Sequence, residues 1–448
     1  MRLDVRVCGQ LVAKLYRERD AHVLKYLPDA SKTDFVSLTM PVREEAWRWP
    51  RDLHPFFRQN LPEGFLLSVI REEFGPLMDG TDLSLLAVVG SNGIGRVSVL
   101  PEGAPVTDTV EPLDIMQLLK AENTEKHFAS LVRRHARAAI SGVIPKILAP
   151  DANVDAASAM PGKMTLHTQR HIIKGSDENA PYLGFNEFHT MRVLERLNVT
   201  PVASTRMSDD GRVLVVDRFD VDAQGASTWG LEDACALLGL PPNEKYATTT
   251  EKVLNATRMY LPPDAARAQL QQFGWLILTN YVVRNADCHA KNIALRYQSR
   301  SDVAFSPVFD LVTTQAYPRF ASSPPALSIG GRQSWAAGKA LEKFFATRLG
   351  IAPREFADMV ERLCESAVEV GKELIEAARN EPRWHTVAKQ MVHAWNEGMS
   401  VLRDPKHAVA FRGLDEAIAA AAFSDPEPPE RPKVIGRSAL MGKRQRKE

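Results

Sequence analysis

The chain opens with alternating apolar and polar residues, which is the period-2 pattern of a half-buried β-strand. Residues 3–7 read Leu-Asp-Val-Arg-Val, and shorter versions of the same pattern recur at residues 11–15 and 22–26. The pattern predicts that the N-terminal part of the chain is built from short strands joined by turns.

Helical spacing of apolar residues follows at residues 53–70, with an interruption at residues 62–64. A glycine-rich segment at residues 90–95 then leads into a second alternating run at residues 96–100. The third glycine of a phosphate loop is missing there, and a strand rather than a helix follows. The segment therefore predicts a turn that enters a strand.

The rest of the chain alternates between helical and strand-like patterns. The predicted elements are a helix at residues 112–135, strands at 138–150 and 164–174 around a polar loop at 151–163, a helix at 185–197, further strands ending at residue 220, and mainly helices from there to about residue 422, except for a strand pair near 292–309. The last stretch, residues 425–448, is rich in proline and then in lysine and arginine, which predicts a disordered basic tail.

Composition and length are those of an ordinary globular protein, and the mixture of strand-like and helical patterns predicts an α+β fold. The 448 residues are 44% hydrophobic and 25% charged, and the net charge of +1 gives no global reason to expect nucleic-acid or membrane binding. We expect a β-rich N-terminal subdomain at residues 1–110, a second unit at 111–225, a mainly helical unit at 226–424 and the tail at 425–448.

Cysteine usage and the lengths of apolar runs favour a cytoplasmic location. Cys8, Cys235, Cys288 and Cys364 are far apart and form no C-x-x-C pair, which argues against a zinc ribbon or a disulfide framework. The N-terminus lacks the apolar core of a secretory signal, and no run of about 18 apolar residues occurs. Neither export nor a transmembrane helix is expected.

The strongest chemical signal is Asp287, followed five positions later by Asn292. Protein kinases use this spacing, H-R-D-x-x-x-x-N, because the aspartate must meet the acceptor hydroxyl while the asparagine turns back to Mg²⁺. A strand pair follows, and Asp310 lies just beyond it, where a second carboxylate would reach the metal. Asn292 and Asp310 offer the hard oxygen ligands that Mg²⁺ requires. Lys291, inside the loop, could neutralise the transferred phosphoryl group.

Each of these residues has a structural alternative when it is taken alone. An aspartate in a loop is usually a turn or cap residue, and His289 is more often a hydrogen-bonded structural histidine than a ligand or base. The combination is more specific. An apolar helix at residues 273–283, the polar cluster, a strand pair and Asp310 follow one another, and this combination favours phosphoryl transfer.

Upstream residues could complete a nucleotide site. Lys174 ends a strand-like segment and Glu187 lies early on the next helix, and kinases hold ATP phosphates with such a pair. A solvent-facing strand end and a surface helix position are the alternatives.

Residues 217–220 fall where a kinase hinge would meet adenine, or they are a charged strand end. A turn with one glycine could present backbone N–H groups to phosphate, or be an ordinary turn. Its residues are Ser141, Gly142, Val143, Ile144, Pro145 and Lys146.

Taken together, these segments resemble the HipA family of bacterial kinase toxins over nearly the whole chain to about residue 422. The most specific carriers are residues 287–292 and Phe309-Asp310, whose order and spacing match the family. The other carriers are Pro62-Glu63-Gly64, residues 141–146, 171–174, 217–220 and 232–235, Asn186-Glu187 and Lys245-Tyr246.

The resemblance implies a two-lobed, protein-kinase-like fold and an ATP- and Mg²⁺-dependent serine/threonine kinase. Asp287 would be the catalytic base, with Lys291 beside it, and Asn292 and Asp310 would be the Mg²⁺ ligands. Lys174 would bind the ATP phosphates, and residues 141–146 would form the phosphate loop. The remaining nucleotide-binding residues that the resemblance implies are Glu187, Asp217, Arg218, Phe219, His289 and Phe309.

The family is the toxin half of toxin–antitoxin pairs, and this implies partners as well. Its members phosphorylate a serine on a protein target, an aminoacyl-tRNA synthetase in the studied cases, and are held by a small DNA-binding antitoxin. We therefore expect a protein substrate and DNA contacts made mainly through an antitoxin, with no membrane partner. The basic tail could touch DNA, although a solvated end is the alternative.

Two departures from the family's phosphate loop affect regulation. The family loop commonly reads S-x-[AS]-G-[AV]-Q-P-K, and autophosphorylation of the first serine ejects it. Here the serine position is Ala139 and the glutamine position is Ile144. Self-inactivation at the usual serine is therefore impossible, and if the chain autophosphorylates we expect Ser141 to be the acceptor.

Two other functions stay open on sequence grounds. A small-molecule phosphotransferase would share the D-x-x-x-x-N core, but it would leave the N-terminal subdomain without a role. The altered loop keeps open a second alternative, a weakly active co-repressor that works with a DNA-binding antitoxin. The intact Asp287, Asn292 and Asp310 count against that second alternative.

Overall fold

The structure is a computed structural model that describes residues 1–75, 78–105, 113–141, 163–336 and 338–403. Three antiparallel sheets, of five, four and three strands, are present in these ranges together with helices that pack against them. This mixture confirms the predicted α+β class.

The first sheet forms the core of the N-terminal subdomain. Its elements are β1 (Arg2–Val7), β2 (Gln10–Glu18), β3 (Ala21–Tyr26), β4 (Trp47–Pro50) and β5 (Val97–Pro101), with α1 (Pro55–Arg58), α2 (Gly64–Phe74) and α3 (Asp82–Val89). The strands lie in the order β4-β3-β2-β1-β5. Leu3, Val5 and Val7 are buried in one apolar cluster, as the alternating pattern predicts. The predicted interruption at residues 62–64 separates α1 from α2.

A second sheet follows, with helices on both faces. Its elements are α4 (Ile115–Lys120), α5 (Glu125–Ser141), β6 (Lys163–His167), β7 (His171–Ser176), α6 (Leu183–Glu195), β8 (Thr205–Met207) and β9 (Val213–Asp217). The strand order is β6-β7-β9-β8. Side chains alternate along β9, because Val213 and Val215 join the apolar cluster of Phe128 on α5, whereas Leu214 and Val216 face the main core beside α6.

Two of the predicted boundaries in this region are wrong. The single helix predicted at residues 112–135 is two helices, because the buried Asn123 side chain donates to the carbonyls of Leu118 and Ala121 and so satisfies the end of α4. The second helix, α5, runs on to Ser141, so residues 138–141 are helical rather than part of the predicted strand at 138–150. The rest of that predicted strand lies outside the described residues.

The strand predicted at residues 164–174 is also divided. It forms the hairpin of β6 and β7, and Thr168 closes the turn. The backbone N–H of Thr168 donates to the carbonyl of His171 over 2.8 Å, and the His171 N–H donates back to the Thr168 hydroxyl over 3.0 Å. Residues 167–171 contain neither glycine nor proline, so the sequence gave no strong turn signal there.

The C-terminal part is mainly helical, as predicted, and has a small third sheet. Its elements are β10 (Gly230–Asp233), α7 (Ala234–Leu238), α8 (Thr250–Arg258), α9 (Ala266–Val282), β11 (Ala294–Tyr297), β12 (Ala304–Phe305), α10 (Gly338–Phe344), α11 (Pro353–Asn380) and α12 (His385–Leu402). Nearly all of α9 is buried, and α11 and α12 pack against it. In the described parts of the chain, no helix is both long enough and apolar enough to cross a membrane.

The strand pair predicted near residues 292–309 is confirmed as β11 and β12, but β10 was missed. Its sequence, Gly-Leu-Glu-Asp, has a single aliphatic residue and therefore no apolar period. The strand forms because Glu232 is buried against a distant segment. Its carboxylate accepts hydrogen bonds from the Ser37 hydroxyl over 2.6 Å and from the Leu38 N–H over 2.9 Å.

These contacts also attach the N-terminal subdomain to the rest of the molecule. A second attachment is made by the buried ion pair of Arg218 and Asp220. Asp220 accepts a hydrogen bond from the Gly95 N–H over 2.7 Å, and Arg218 donates to the Gly93 carbonyl over 3.3 Å. The turn that precedes β5 is thereby held against the segment that follows β9.

Candidate active site

The segment after α9 is shaped by its own polar side chains. Arg284 adopts a left-handed backbone conformation with φ of +55°, which turns the chain sharply at the end of the helix. The Asn285 side chain donates to Asn280 over 2.8 Å and accepts from the backbone N–H of Asp287 over 3.0 Å. These hydrogen bonds fix the path of the chain from the buried helix α9 into the loop at residues 287–292.

Asp287 and Asn292 lie together, as the kinase-like spacing predicts. The Asn292 side chain donates to the Asp287 carbonyl over 2.8 Å, and the His289 N–H donates to the same carbonyl over 2.8 Å. Both Asp287 and Asn292 are buried to about nine-tenths of their surface. The ring of His289 is buried as well, and its Nε2 lies 3.9 Å from Asp287 Oδ1.

Lys174, Glu187 and Asp310 are brought together from three separate elements. The Lys174 ammonium, at the inner part of β7, forms an ion pair with Glu187 on α6 and contacts Asp310 Oδ1 at 2.7 Å. Lys174 is 8% exposed and Glu187 is fully buried. The two alternatives, a solvent-facing strand end and a surface helix position, are therefore wrong.

Asp310 reaches this cluster through an uncommon backbone conformation. Its φ of +60° lies in the left-handed region, which non-glycine residues seldom adopt outside turns and functional sites. Leu311 and Val312 immediately after it are buried in the main core. The backbone on the C-terminal side is thus fixed by packing, and the carboxylate projects towards Lys174.

Lys291 lies four positions after Asp287 in the sequence, but its side chain contacts the N-terminal subdomain. Its ammonium forms an ion pair with Glu63, which also contacts Lys245 at 3.2 Å. Burial would raise the pKa of Glu63, but Lys291 and Lys245 outweigh it and lower that pKa. Burial would lower the pKa of Lys291, but the attraction of Glu63 and Asp233 outweighs burial and raises that pKa. Glu63 is thus a carboxylate between two ammonium groups.

Tyr246 is a site residue that the sequence predictions did not include. Its hydroxyl donates a hydrogen bond of 2.5 Å to Asp287 Oδ1, and its ring meets the His289 ring edge-on with centroids 5.0 Å apart. Burial and the neighbouring Asp287 raise the pKa of the phenol well above its usual range. The only sequence signal was its place in the Lys245-Tyr246 motif, 41 positions from Asp287.

The predicted adenine segment is divided by the structure. The Asp217 carboxylate accepts from Arg206 over 2.8 Å and from Ser204 over 2.9 Å, and the Arg218 guanidinium is paired with Asp220. Phe219 instead lies beside Phe309, with ring centroids 5.6 Å apart. The side chains of Asp217 and Arg218 therefore have protein partners, and the two phenylalanines are brought together.

Of the predicted phosphate loop, the structure describes only the first residue. Ser141 is the last residue of α5, and Gly142, Val143, Ile144, Pro145 and Lys146 lie outside the described residues. The prediction that this segment binds phosphate, and the prediction that Ser141 would be an autophosphorylation acceptor, both stay predictions.

Asn292 and Asp310 supply the donor atoms that suit a magnesium ion bound together with nucleotide. An amide oxygen and a carboxylate are hard ligands, and Mg²⁺ in kinases takes one or two protein ligands and completes its coordination with phosphates and water. The described residues contain no cluster of three or more His, Cys, Asp or Glu side chains suited to hold a metal ion alone. The residues present thus fit a metal–nucleotide complex.

Comparison with known proteins gives two family matches. The HipA N-terminal domain matches residues 3–100, and the HipA-like C-terminal domain matches residues 138–370. Two proteins of Sinorhizobium fredii, both named as candidate kinases, are related to the chain. Y4mE is 28% identical over 82% of this chain and 90% of its own length, and Y4dM is 24% identical over 70% and 78%.

A solved structure shares the fold. It is a chain of the Shewanella oneidensis MR-1 toxin–antitoxin complex of HipA, HipB and its operator DNA, and it superposes with a TM-score of 0.61. The sequences are 20% identical, and the match covers 93% of this chain and 99% of that chain. The predicted kinase-like fold is confirmed by this likeness. With one family match spanning more than half of its residues, the chain belongs to the HipA family.

Proposed function

We propose that the chain is an ATP- and Mg²⁺-dependent serine/threonine protein kinase. The observation that carries the proposal is the ion-pair cluster of Lys174 with Glu187 and Asp310. A strand lysine paired with a helix glutamate is how kinases hold the α- and β-phosphates, and the second carboxylate is a kinase metal ligand. Family membership and the names of the related proteins point to the same chemistry.

Four residues of the site have separate roles in the proposed transfer. Asp287 orients the acceptor hydroxyl and takes up its proton as the oxygen attacks the γ-phosphorus. Lys174 neutralises charge on the ATP phosphates. Asn292 and Asp310 would hold Mg²⁺, which neutralises the charge that develops on the phosphate oxygens when it is bound.

Further residues are proposed to contact the nucleotide. Phe219 and Phe309 together offer an apolar surface suited to a purine ring. Backbone groups at residues 217–219 are better suited to adenine than the side chains of Asp217 and Arg218, which have protein partners. Residues 141–146 would cover the phosphates, and the buried His289 would support the position of Asp287.

Lys291 is proposed to act on the transferred phosphoryl group from a position set by Glu63. The ammonium is largely buried and keeps its charge because Glu63 and Asp233 raise its pKa. This arrangement gives the N-terminal subdomain a role in the active site. Such a role favours a dedicated protein kinase over a small-molecule phosphotransferase, in which that subdomain would have none.

The biological role that we propose is that of a toxin in a toxin–antitoxin pair, acting in the cytoplasm. The structurally similar complex contains HipA, HipB and operator DNA, which supports a small DNA-binding antitoxin as partner and DNA contact mainly through it. The proposed substrate is a serine on a protein such as an aminoacyl-tRNA synthetase, as the family resemblance implies.

Expression in bacteria tests this role. The wild type should arrest growth, and Asp287→Asn, which removes the base but keeps the side-chain shape, should not. Asp29→Asn makes the same chemical change at an exposed position and should arrest growth like the wild type. Labelled proteins from arrested cells should contain phosphoserine or phosphothreonine. Equal toxicity from wild type and Asp287→Asn would exclude a kinase toxin and leave the co-repressor alternative.

A further inference from the structure

The Tyr246 hydroxyl occupies the position at the catalytic base that a substrate hydroxyl would need. It donates to Asp287 Oδ1 over 2.5 Å, and it also lies within the electrostatic influence of Asp310 and Glu63. The side chain is 39% exposed, so it is not a packed core residue. A partly exposed hydroxyl that hydrogen-bonds the proposed base has the location of an acceptor.

The backbone around Tyr246 is attached to the catalytic loop, so this contact is built into the fold. The backbone N–H of Ala290 donates to the Lys245 carbonyl over 3.2 Å, and the Lys245 ammonium contacts Glu63 at 3.2 Å. The edge-on contact with His289 orients the ring. Through Lys245, the segment that carries Tyr246 is therefore attached both to the catalytic loop and to the N-terminal subdomain.

We propose that Tyr246 is an internal acceptor and that the chain phosphorylates this tyrosine in cis. The inference rests on the proposed kinase function. In the step, the phenolic oxygen attacks the γ-phosphorus of ATP, and the bond from that phosphorus to the bridging oxygen of ADP breaks. The phenolic proton passes to the Asp287 carboxylate, and the products are phosphotyrosine, ADP and a proton that the base releases to solvent.

The electrostatics of the site fit this step. The phenol is kept protonated by burial and by Asp287, so its proton must be removed by a base during attack, and Asp287 is in contact with it. The product would carry nearly two negative charges beside Asp287 and Asp310. Repulsion would move the modified side chain away from the base towards solvent and would free the base for another acceptor.

Peptide mapping of the full chain after incubation with Mg-ATP tests the proposal. We expect phosphate on Tyr246. Its formation should follow first-order kinetics with a rate constant that does not depend on protein concentration. Tyr246→Phe keeps the ring and its contact with His289 but should lose this label. Tyr260→Phe, a partly buried tyrosine that does not contact Asp287, should label like the wild type. Asp287→Asn should label Tyr246 about 10²–10⁴-fold more slowly.

A mixing experiment separates cis from trans transfer. Wild type incubated with a mass-tagged Asp287→Asn chain should leave Tyr246 of the tagged chain unmodified. The same reactions contain a serine- and threonine-containing peptide library as an external acceptor. Phosphorylation of the library without phosphate on Tyr246, or with phosphate on Ser141 alone, would overturn the internal-acceptor proposal while leaving the kinase proposal intact. Transfer to neither acceptor would contradict the kinase proposal itself and the inference with it.

Discussion

Single side chains in this site depend on charges contributed by other elements. Lys174 is the clearest case, because its ammonium lies between a fully buried Glu187 and Asp310. An isolated carboxylate is costly to bury, so the lysine stabilises the fold as well as the proposed nucleotide site. The same residue therefore links stability and chemistry.

Replacement of this lysine should reduce both properties. Lys174→Met leaves Glu187 buried without its main cation, and we expect the free energy of unfolding at pH 7 to fall by about 3 kcal/mol. Part of this loss should be regained at lower pH, where Glu187 can be protonated. Chemical denaturation measures the change. Lys25→Met, at an exposed position on β3, is the control and should change stability by less than about 0.5 kcal/mol; equal effects from the two variants would contradict the account.

At the scale of secondary-structure elements, the packing of α6 on the second sheet places Glu187 opposite Lys174. The two elements approach closely at Gly184, where a β-carbon would lie only 2.6 Å from the Val213 carbonyl oxygen. Backbone atoms on β9 cannot move aside without disturbing the sheet. Glycine is thus required for the approach that brings Glu187 to the site.

Adding one methyl group at this position should be disruptive. Gly184→Ala should lower the free energy of unfolding by about 1–3 kcal/mol, because overpacking forces the helix from the sheet. Phosphate transfer should also fall as Glu187 is displaced from Lys174. Gly75→Ala is a matched control, since a β-carbon added there would meet nothing within 4 Å. Thermal denaturation of the two variants checks this, and a Gly184→Ala protein as stable as Gly75→Ala would contradict the proposed close packing.

Elements with strong local patterns could be predicted from the sequence, and those made by distant contacts could not. The periodic helix at 185–197 is found as α6, and the polar cluster of Asp287 and Asn292 follows the apolar helix as expected. The strand β10 and the break at Asn123 depend on hydrogen bonds to residues elsewhere in the chain or on one side-chain cap. Neither produces an apolar period.

The site shows the same division. The spacing from Asp287 to Asn292 is local, so the motif predicted their proximity. Glu63 and Lys291 are 228 positions apart, and no pattern in the sequence pairs them. Tyr246 was missed for the same reason, because its partner Asp287 lies on a different element. Side-chain contacts of this kind appear only when the whole chain is folded.

At the scale of the whole molecule, the N-terminal subdomain is bound to the catalytic part through buried charge. Glu232 on β10 accepts hydrogen bonds from Ser37 and Leu38 of the N-terminal subdomain and from the Tyr297 hydroxyl over 3.3 Å. Burial raises the pKa of Glu232 to about 7, and the neighbouring Asp233 adds to this effect. The junction is therefore sensitive to pH near neutrality.

This pKa predicts how stability changes with pH. Because the folded-state pKa is raised above the usual value near 4.5, the contribution of Glu232 is fully present below pH 4.5 and is lost as pH rises through 7. The loss should amount to about 3 kcal/mol. Glu232→Gln cannot ionise and should lack this decline. Denaturation of both proteins between pH 5 and 8 measures it, and parallel pH profiles would show that Glu232 does not titrate in this range.

Glu63 provides a second test of the connection between the two parts. Glu63→Gln leaves Lys245 and Lys291 near one another without the carboxylate between them, and we expect stability to fall by about 1–2 kcal/mol. Phosphate transfer should also decrease, because Lys291 loses its anchor. Glu44→Gln, at an exposed position, is the control. An unchanged rate of phosphate transfer in Glu63→Gln would show that this contact of the N-terminal subdomain does not contribute to catalysis.

Asp287 is proposed as the base of a phosphoryl-transfer site, and transfer from radiolabelled Mg-ATP to protein tests this role most directly. The purified wild type, Asp287→Asn and Asp29→Asn should be compared for folding first and then for the rate of labelling. We predict that Asp287→Asn is slower by about 10²–10⁴-fold, the usual contribution of a positioned general base, while Asp29→Asn matches the wild type. Equal labelling rates for all three folded proteins would contradict the assignment.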